Sequence, residues 1–435
     1  MENINPMFSR PGQSSVQCDG LRILLVGLYP PPYGGIASHL ASLIPGLKAR
    51  GAKDVAVVTF GLKDEVQQIG GATVYRYNAG NQLFRLALPS NWHIVFRVLQ
   101  VLGPERVELK GIIRESIKAI LVNRVAEKHS SEVVSFYQSD FHLELLPLAR
   151  HWDEGRGIVL TVFGEVYESP EFMRSNFGLM KKLMAAPNAV VSSSCHCARS
   201  FSSIGITRSI EPVYYGVNLD NAASDQLRQS FRMQQGFAED DVVLLFLGRF
   251  QREMGLHTIL KLAPALLAKN AYIRVLLCGA TGDLSANARE LAEGYPKRIR
   301  IFQDVPFSTL PVLYSASDIV LAPSFDQRAC MGMSIKEAMA AARPVIGTDG
   351  GGVPEAIVDG ETGFLVTRDA TGEVEANKFE RCILRLADNP SMRVKFGQAA
   401  RRRAEEIFSV DRTNDRMAQI FMSARSAKEA PVPLR

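Results

Sequence analysis

Residues 318–366 constrain this chain more than any other stretch. An apolar run, Ile319-Val320-Leu321-Ala322, is short enough for a buried parallel strand, and a loop with Pro323, Ser324, Asp326 and Arg328 follows it. Ile335, Ala338, Met339 and Ala342 then fall at i, i+3, i+4 and i+7, the stripe of an amphipathic helix. Ser334 and Glu337, three apart, share another face of that helix. Pro344-Val345-Ile346-Gly347 is the next buried strand, and Gly350-Gly351-Gly352 forms a loop that no side chain obstructs. Two strand-to-loop junctions therefore sit side by side. One feeds a helix N-terminus through Gly332, Met333 and Ser334; the other is glycine-rich. Open α/β sheets bind anionic ligands at such junctions, because unpaired helix N–H groups point outward there. The carboxylate of Glu337, on the second helical turn, suits ligand hydroxyls. The alternative is one more βαβ unit whose glycines only make turns.

The same rhythm runs through both halves of the chain. Residues 21–27 form an apolar strand that breaks at Pro30-Pro31-Pro32-Tyr33-Gly34-Gly35, and a helix with the stripe Leu40, Leu43, Ile44 and Leu47 starts at Ile36. Gly34 and Gly35 again precede free helix N–H groups. The motif is not G-x-G-x-x-G and no acidic ribose partner is evident, which gives little support to a nicotinamide cofactor. Strand-like runs at 55–60, 132–137, 158–164 and 189–194 come next, and their loop ends, with Tyr137, Asp140, His142, Phe163 and Glu165, are expected to border the cleft of Gly34-Gly35. Residues 212–218 read as a hinge. A second series then begins: a strand at 242–248 ending in Arg249, a helix at 256–268, and strands at 273–278 and 299–302.

The expected fold class is α/β, with two Rossmann-like doubly wound domains. A disordered lead-in over 1–20 precedes a first domain at 21–212, which carries a helical basic insertion at 82–128. A second domain takes 213–405, and a last helix with its tail takes 406–435. In the insertion eight basic residues (Arg85, Arg97, Arg106, Lys110, Arg114, Lys118, Arg124, Lys128) face four acidic ones (Glu105, Glu108, Glu115, Glu127). This is either a face for an anionic membrane surface or an ordinary solvated helix side. Arg174, Lys181 and Lys182, interleaved with Met173, Phe177, Met180 and Met184, add to the membrane reading.

Composition narrows the class. An apolar share of 46% over 435 residues is ample for large cores, and a net charge of +5 suits anionic ligands without implying nucleic acid. The 6 cysteines are scattered, and Cys195-His196-Cys197 lacks a second pair at zinc spacing, so it reads as structural. No run approaches the length that spans a bilayer and no secretory signal precedes the first strand. The expectation is a cytoplasmic protein, with membrane association on the cytoplasmic face as a further reading.

GMSIKEAMAAARPVIGTDGGGVPE, followed by DGETGFLV, resembles the donor-site signature of the GT4 family of retaining glycosyltransferases. In that family a Glu, seven residues and a second Glu precede A-M-A-x-G-x-P-V-I and G-G-x-P-E. The second Glu matches Glu337, the Gly-Arg pair matches Gly248-Arg249, and the N-terminal glycine pair matches Gly34-Gly35. The resemblance implies a GT-B architecture, with the two domains facing across a cleft and a C-terminal helix crossing back to the first. It also implies sugar transfer from a nucleotide-diphosphate sugar, a co-substrate rather than a cofactor, to a carbohydrate or lipid-linked acceptor. No metal is implied. Arg249 and Glu337 would act on the donor, and His142 or Tyr137 would lie near the acceptor. The donor site would comprise Gly34, Gly35, Arg249, Arg252, Asp326, Arg328, Gly332, Met333, Ser334 and Glu337.

Several working positions depart from the family pattern. Ala329 stands where the first Glu contacts the donor sugar, and Met254 where a Lys contacts the phosphates, with Arg252 close enough in sequence to substitute. Ser135-Phe136-Tyr137 replaces a frequent H-x-H, and Phe163 replaces a His before Gly. A divergent active transferase is one consequence. A nucleotide-sugar-binding or partner subunit without turnover, or a GT-B-fold epimerase, is the other.

Overall fold

The computed structural model describes residues 16–30, 34–102, 109–137, 155–168, 170–220, 223–326 and 330–426. They fall into two compact units. The first takes the chain up to Thr161, residues 182–190 and those from Asp411 on; the second takes Val162–Lys181 and Val191–Val410. Residues 162–181 and 191–212 thus belong with the second unit, whereas the sequence pattern places the boundary at 212.

β1 (Arg22–Gly27), β2 (Asp54–Phe60), β3 (Glu65–Ile69), β4 (Ala72–Tyr77), β5 (Val133–Tyr137), β6 (Gly157–Val162), β7 (Ala189–Ser192) and β8 (Glu211–Pro212) lie in the order β3-β4-β2-β1-β5-β6-β7-β8. Val- and Leu-rich runs such as Leu24-Leu25-Val26 are buried on both faces, as parallel strands covered by helices require. β3 pairs antiparallel with β4. Gly70 and Gly71, with φ of 60° and 86°, make the tight turn of that hairpin, which the sequence pattern does not reveal.

In the second unit β9 (Val242–Leu247), β10 (Ile273–Gly279), β11 (Ile299–Gln303), β12 (Ile319–Ala322), β13 (Val345–Thr348) and β14 (Gly363–Val366) run in the order β11-β10-β9-β12-β13-β14. Their pairings are parallel. The winding direction reverses between β1 and β5 in one sheet and between β9 and β12 in the other, so each sheet has a crevice at the carboxyl ends of those strands. Both expected Rossmann-like sheets are present.

The last helix, Val410–Ser426, packs on the first unit, as expected. Arg50, itself buried, donates from Nε to Asp415 Oδ1 at 2.7 Å, from Nη1 to Gly46 O at 3.1 Å and from Nη2 to Asp411 O at 3.1 Å. Gly157 sits so close to this helix that a Cβ there would lie 2.6 Å from the carbonyl of Ala424.

Four expectations need correction. Residues 16–20 are not a loose lead-in: Cys18 is fully buried and its N–H donates to Arg50 O at 2.8 Å. The helix of the 318–366 stretch ends at Ala340, and Ala342 lies beyond it with φ 55°. The long helix of the insertion, Leu109–Lys128, buries Ile112, Ile117, Ile120 and Leu121, while Lys118 lies 5.2 Å from the Phe60 ring and Lys128 5.1 Å from the Tyr75 ring. Those cations dress the fold's own aromatics. Met173, Met180 and Met184 are buried as well, so their interleaving with cations reflects packing. No described helix is long and apolar enough to cross a membrane.

Arg50→Met strands the partly buried Asp415 and the carbonyl acceptors around it. We expect a loss of about 3 kcal/mol, read from the midpoint of urea unfolding.

Candidate functional site

Arg249 follows β9, on one side of the second unit's crevice, and the loop after β12 lies on the other. Arg249 is exposed, and its guanidinium has no partner among the described residues. The helix Met333–Ala340 starts at Gly332, whose φ of 81° suits glycine, with neither a side-chain cap nor an acidic residue in its first turn. A free cation and a helix N-terminus without an anionic cap thus border the same switch point, which is a receptive place for a diphosphate. Gly332 is exposed, and Met333 and Ser334 are half-buried at that start. Asp326 is half-buried in the same loop, while Arg328 and Ala329 lie outside the described residues.

Arg252 is not a second free cation. It pairs with Glu373, which His257 Nε2 also contacts at 3.1 Å. Burial opposes ionisation of Glu373, yet His257 and Arg252 outweigh it and hold the carboxyl below its ordinary range. The pairing follows from position: Arg252 opens a short turn that leads it away from the end of β9. Met254, two residues on, packs against the hydrophobic core, beside Gly248. Gly255 then caps the next helix with φ 78°, where a Cβ would meet Pro323 O at 2.1 Å. This contact draws the loops after β9 and β12 together.

Glu337 accepts a hydrogen bond on Oε2 from the Tyr314 hydroxyl at 2.7 Å. Burial raises its carboxyl above the ordinary value, and the Tyr314 bond and the Lys336 ammonium pull it back. Lys336 is itself buried, donating from Nζ to Tyr215 O at 2.6 Å; burial lowers its pKa to about 8, against the opposing charges of Glu337 and Cys330. The thiol of Cys330 hydrogen-bonds that of Cys197, on the helix Cys195–Ser203.

The glycine loop after β13 is packed rather than open. Gly351 has φ 59°, and a Cβ on Gly352 would fall 1.3 Å from Cys330 O. Its glycines therefore let the loop press against the chain just before Gly332. The loop leads to Glu355, whose buried carboxylate accepts from Cys195 N at 2.8 Å, His196 N at 2.5 Å and the Tyr214 hydroxyl at 3.0 Å. Glu355 caps the Cys195–Ser203 helix, and those three donors occupy its carboxylate.

In the first unit Gly34 is extended at the start of the helix Gly35–Ala49, which has no side-chain cap and no acidic first turn; a Cβ at Gly34 would meet nothing within 4 Å. Tyr137, expected near the acceptor, is instead buried at the end of β5, its ring 5.4 Å from that of His39. Burial raises the pKa of its hydroxyl, with the Ser135 side chain acting the other way. A phenol so enclosed cannot meet an acceptor in this conformation. Asp140 and His142 lie outside the described residues. Phe163 and Glu165 are also buried, the carboxylate accepting from Phe163 N at 2.6 Å, rather than lining a surface. Sequence reasoning does not reach Tyr314, Lys336 or the capping role of Glu355. Only Glu355 carries a signal, as the last residue of the glycine motif.

Residues 228–403 match the family model described as glycosyl transferases group 1. Over 215 residues the chain is 30% identical to D-inositol 3-phosphate glycosyltransferase of Corynebacterium glutamicum, an alignment covering 48% of this chain and 50% of that protein. The chain spans about half the length of the curated relatives it matches. The fold is shared with Anabaena HepE, solved with UDP and glucose, at TM-score 0.68 and 18% identity, covering 93% of this chain and 100% of that one. Sucrose-phosphate synthase of Thermosynechococcus elongatus is similar at TM-score 0.71 and 18% identity, with 94% and 100% covered.

Two outcomes test this geometry. Tyr314→Phe removes the bond that favours ionised Glu337, so the Glu337 pKa rises further. A carboxyl NMR titration of Glu337 should show its midpoint moved upward relative to the wild-type chain. Gly352→Ala forces the loop off Cys330 and lowers stability by about 1–3 kcal/mol, measured by thermal unfolding.

Proposed function

We propose that this protein is a glycosyltransferase of the GT4 type, moving a sugar from a nucleoside diphosphate to a carbohydrate or lipid-linked acceptor, with retention at the anomeric carbon. One observation carries the reading: a partnerless arginine, Arg249, and an uncapped helix start at Gly332–Met333 border the same switch point among the described residues, with Glu337 on the second turn of that helix. Fixed donors of this kind stabilise the charge that builds on the leaving diphosphate, usually the largest single contribution to such a reaction. Arg249 supplies a planar fork for two phosphate oxygens. The helix N–H groups take a further oxygen, and Glu337, oriented by Tyr314, takes ligand hydroxyls.

In retention the acceptor attacks the face from which the diphosphate leaves, and a donor phosphate oxygen takes the acceptor proton. That scheme needs no protein base, which agrees with Phe163 and the buried Tyr137 standing where a histidine or an acceptor contact was expected. The reading includes work on the cytoplasmic side, in assembly of a polysaccharide or glycolipid.

A second reading has its own support. Met254 packs against the core and Arg252 is neutralised by Glu373, leaving fewer cations for the diphosphate than the family pattern has. Such a protein would bind nucleotide sugar without turnover.

Titration calorimetry with UDP, GDP and ADP separates these. We expect one of the three to bind, with affinity about ten- to a hundredfold weaker in Arg249→Ala and in Glu337→Ala. No binding by any of them overturns both readings. Binding without transfer, across a mass-spectrometry screen of donors and acceptors, overturns the first. Inverted anomeric configuration in the product, read by proton NMR, overturns retention.

A further inference from the structure

The first unit carries an apolar surface that its own fold does not use. The short helix Ala79–Ala87 and the helix Trp92–Leu102 follow β4. Leu83, Phe84, Leu88, Trp92 and Phe96 are 53%, 59%, 41%, 51% and 61% exposed. Trp92 and Phe96 are one helical turn apart, and Ile94 and Val98 of the same helix are buried, so this helix has one face in the core and another apolar face in water. Single exposed apolar residues are ordinary, but five large ones within fourteen residues of chain are not. The Trp92 indole donates from Nε1 to Leu86 O at 3.2 Å, and the Arg85 guanidinium lies 4.9 Å from the Phe84 ring while donating to Gln82 Oε1 at 2.7 Å. The ring of Trp92 is thereby held in place, and a cation sits beside the apolar face.

Charge says what covers this surface. No Asp or Glu occurs between Glu65 and Glu105, a stretch that contains Arg76, Arg85 and Arg97. Asp64 bonds Asn78 and Asn81 where this segment begins, and Arg76 donates to the carbonyls of Tyr29 and Pro30. Residues 79–102 carry no acid of their own, however, and their apolar aromatic face, with Arg85 beside Phe84, matches the interface of an anionic bilayer. There indole and phenyl rings sit at headgroup depth, and guanidinium groups reach lipid phosphates. We propose that Leu83, Phe84, Leu88, Trp92 and Phe96 form a docking surface for an anionic lipid bilayer. This deepens the transferase reading, by holding the protein where a lipid-linked acceptor is found, but the surface stands on its own observations. It also moves the contact. The basic helix Leu109–Lys128 is mostly core, and the apolar segment ahead of it touches the membrane.

The test uses the full chain. Its 2 tryptophans are Trp92 and Trp152, so Trp152→Phe leaves Trp92 as the sole indole. With vesicles of phosphatidylglycerol and phosphatidylcholine at low salt, we expect co-sedimentation and a blue shift of Trp92 emission. Pure phosphatidylcholine should bind at least about tenfold more weakly, and about 0.5 M salt should weaken binding to the anionic vesicles. Phe84→Ser with Phe96→Ser should lower the partition coefficient at least about tenfold while unfolding temperature and nucleotide binding stay unchanged. No sedimentation of the wild-type chain with anionic vesicles overturns the proposal, as does undiminished binding of the double variant. A dimer seen by light scattering that the same substitutions dissociate, without any vesicle binding, assigns the surface to a second copy and overturns it too. Because nucleotide titration is measured separately, failure here leaves the transferase reading standing, and the reverse also holds.

Discussion

The buried carboxylate of Glu355 gathers the second unit's site. It lies just past the glycine loop, and each of its oxygens receives a backbone N–H from the start of the Cys195–Ser203 helix, with the Tyr214 hydroxyl as a further donor. Arg403, reaching from a later helix, donates to the carbonyls of Glu355 and Ala356 at 2.8 Å each. A carboxylate at a helix N-terminus offsets the partial positive charge there, and in a buried setting the bonds are strong because water does not compete. Removing Glu355 would leave several buried donors without acceptors, a greater loss than any one bond is worth. The consequence is positional. The Cys195–Ser203 helix fixes Cys197, Cys197 meets Cys330, and Cys330 lies against Gly352. The start of the helix that carries Glu337 is thus held by a chain of contacts that begins at one acid.

Much of this architecture is legible in the chain. Short Val- and Leu-rich runs alternating with 3.6-residue stripes leave few options besides parallel sheets covered by helices, and both sheets form where those runs lie. The glycine punctuation marks the loops correctly. Pattern alone does not convey the use of each glycine. The sequence Gly350-Gly351-Gly352 reads as space for a ligand, yet Gly352 has no side chain because a backbone carbonyl occupies the space. The β3–β4 hairpin escapes notice because β3 (EVQQI) is mostly polar and exposed, so nothing in its pattern marks it as a strand.

The site is less legible, for reasons that can be named. Lysine on a helix is normally solvated, so nothing at Lys336 signals a buried ammonium bonded to Tyr215 O. Tyr314 lies 23 residues from its carboxylate partner, and only the fold around β12 brings their two helices together. Arg252 resembles a replacement for a missing cation by proximity in sequence, but Glu373, which takes it, is 121 residues away. Tyr137 reads as exposed from its place at the end of a strand, because strand ends in open sheets usually are; here the helix Gly35–Ala49 closes over it through His39. Local spacing reports on elements, whereas these contacts depend on which elements the fold makes neighbours.

The return of the C-terminal helix to the first unit has a consequence for how the molecule is made. Arg50 and Gly157 are synthesised long before Asp415 and Ala424, the groups that enclose them. On the ribosome the first unit must therefore wait, with part of its surface uncovered, while all of the second unit emerges. The main body of the second unit, continuous from residue 191 to 410, closes as it appears. The order of completion is thus inverted relative to the order of translation, and the exposed interval of the first unit is the time in which chaperones or neighbouring chains have access to it.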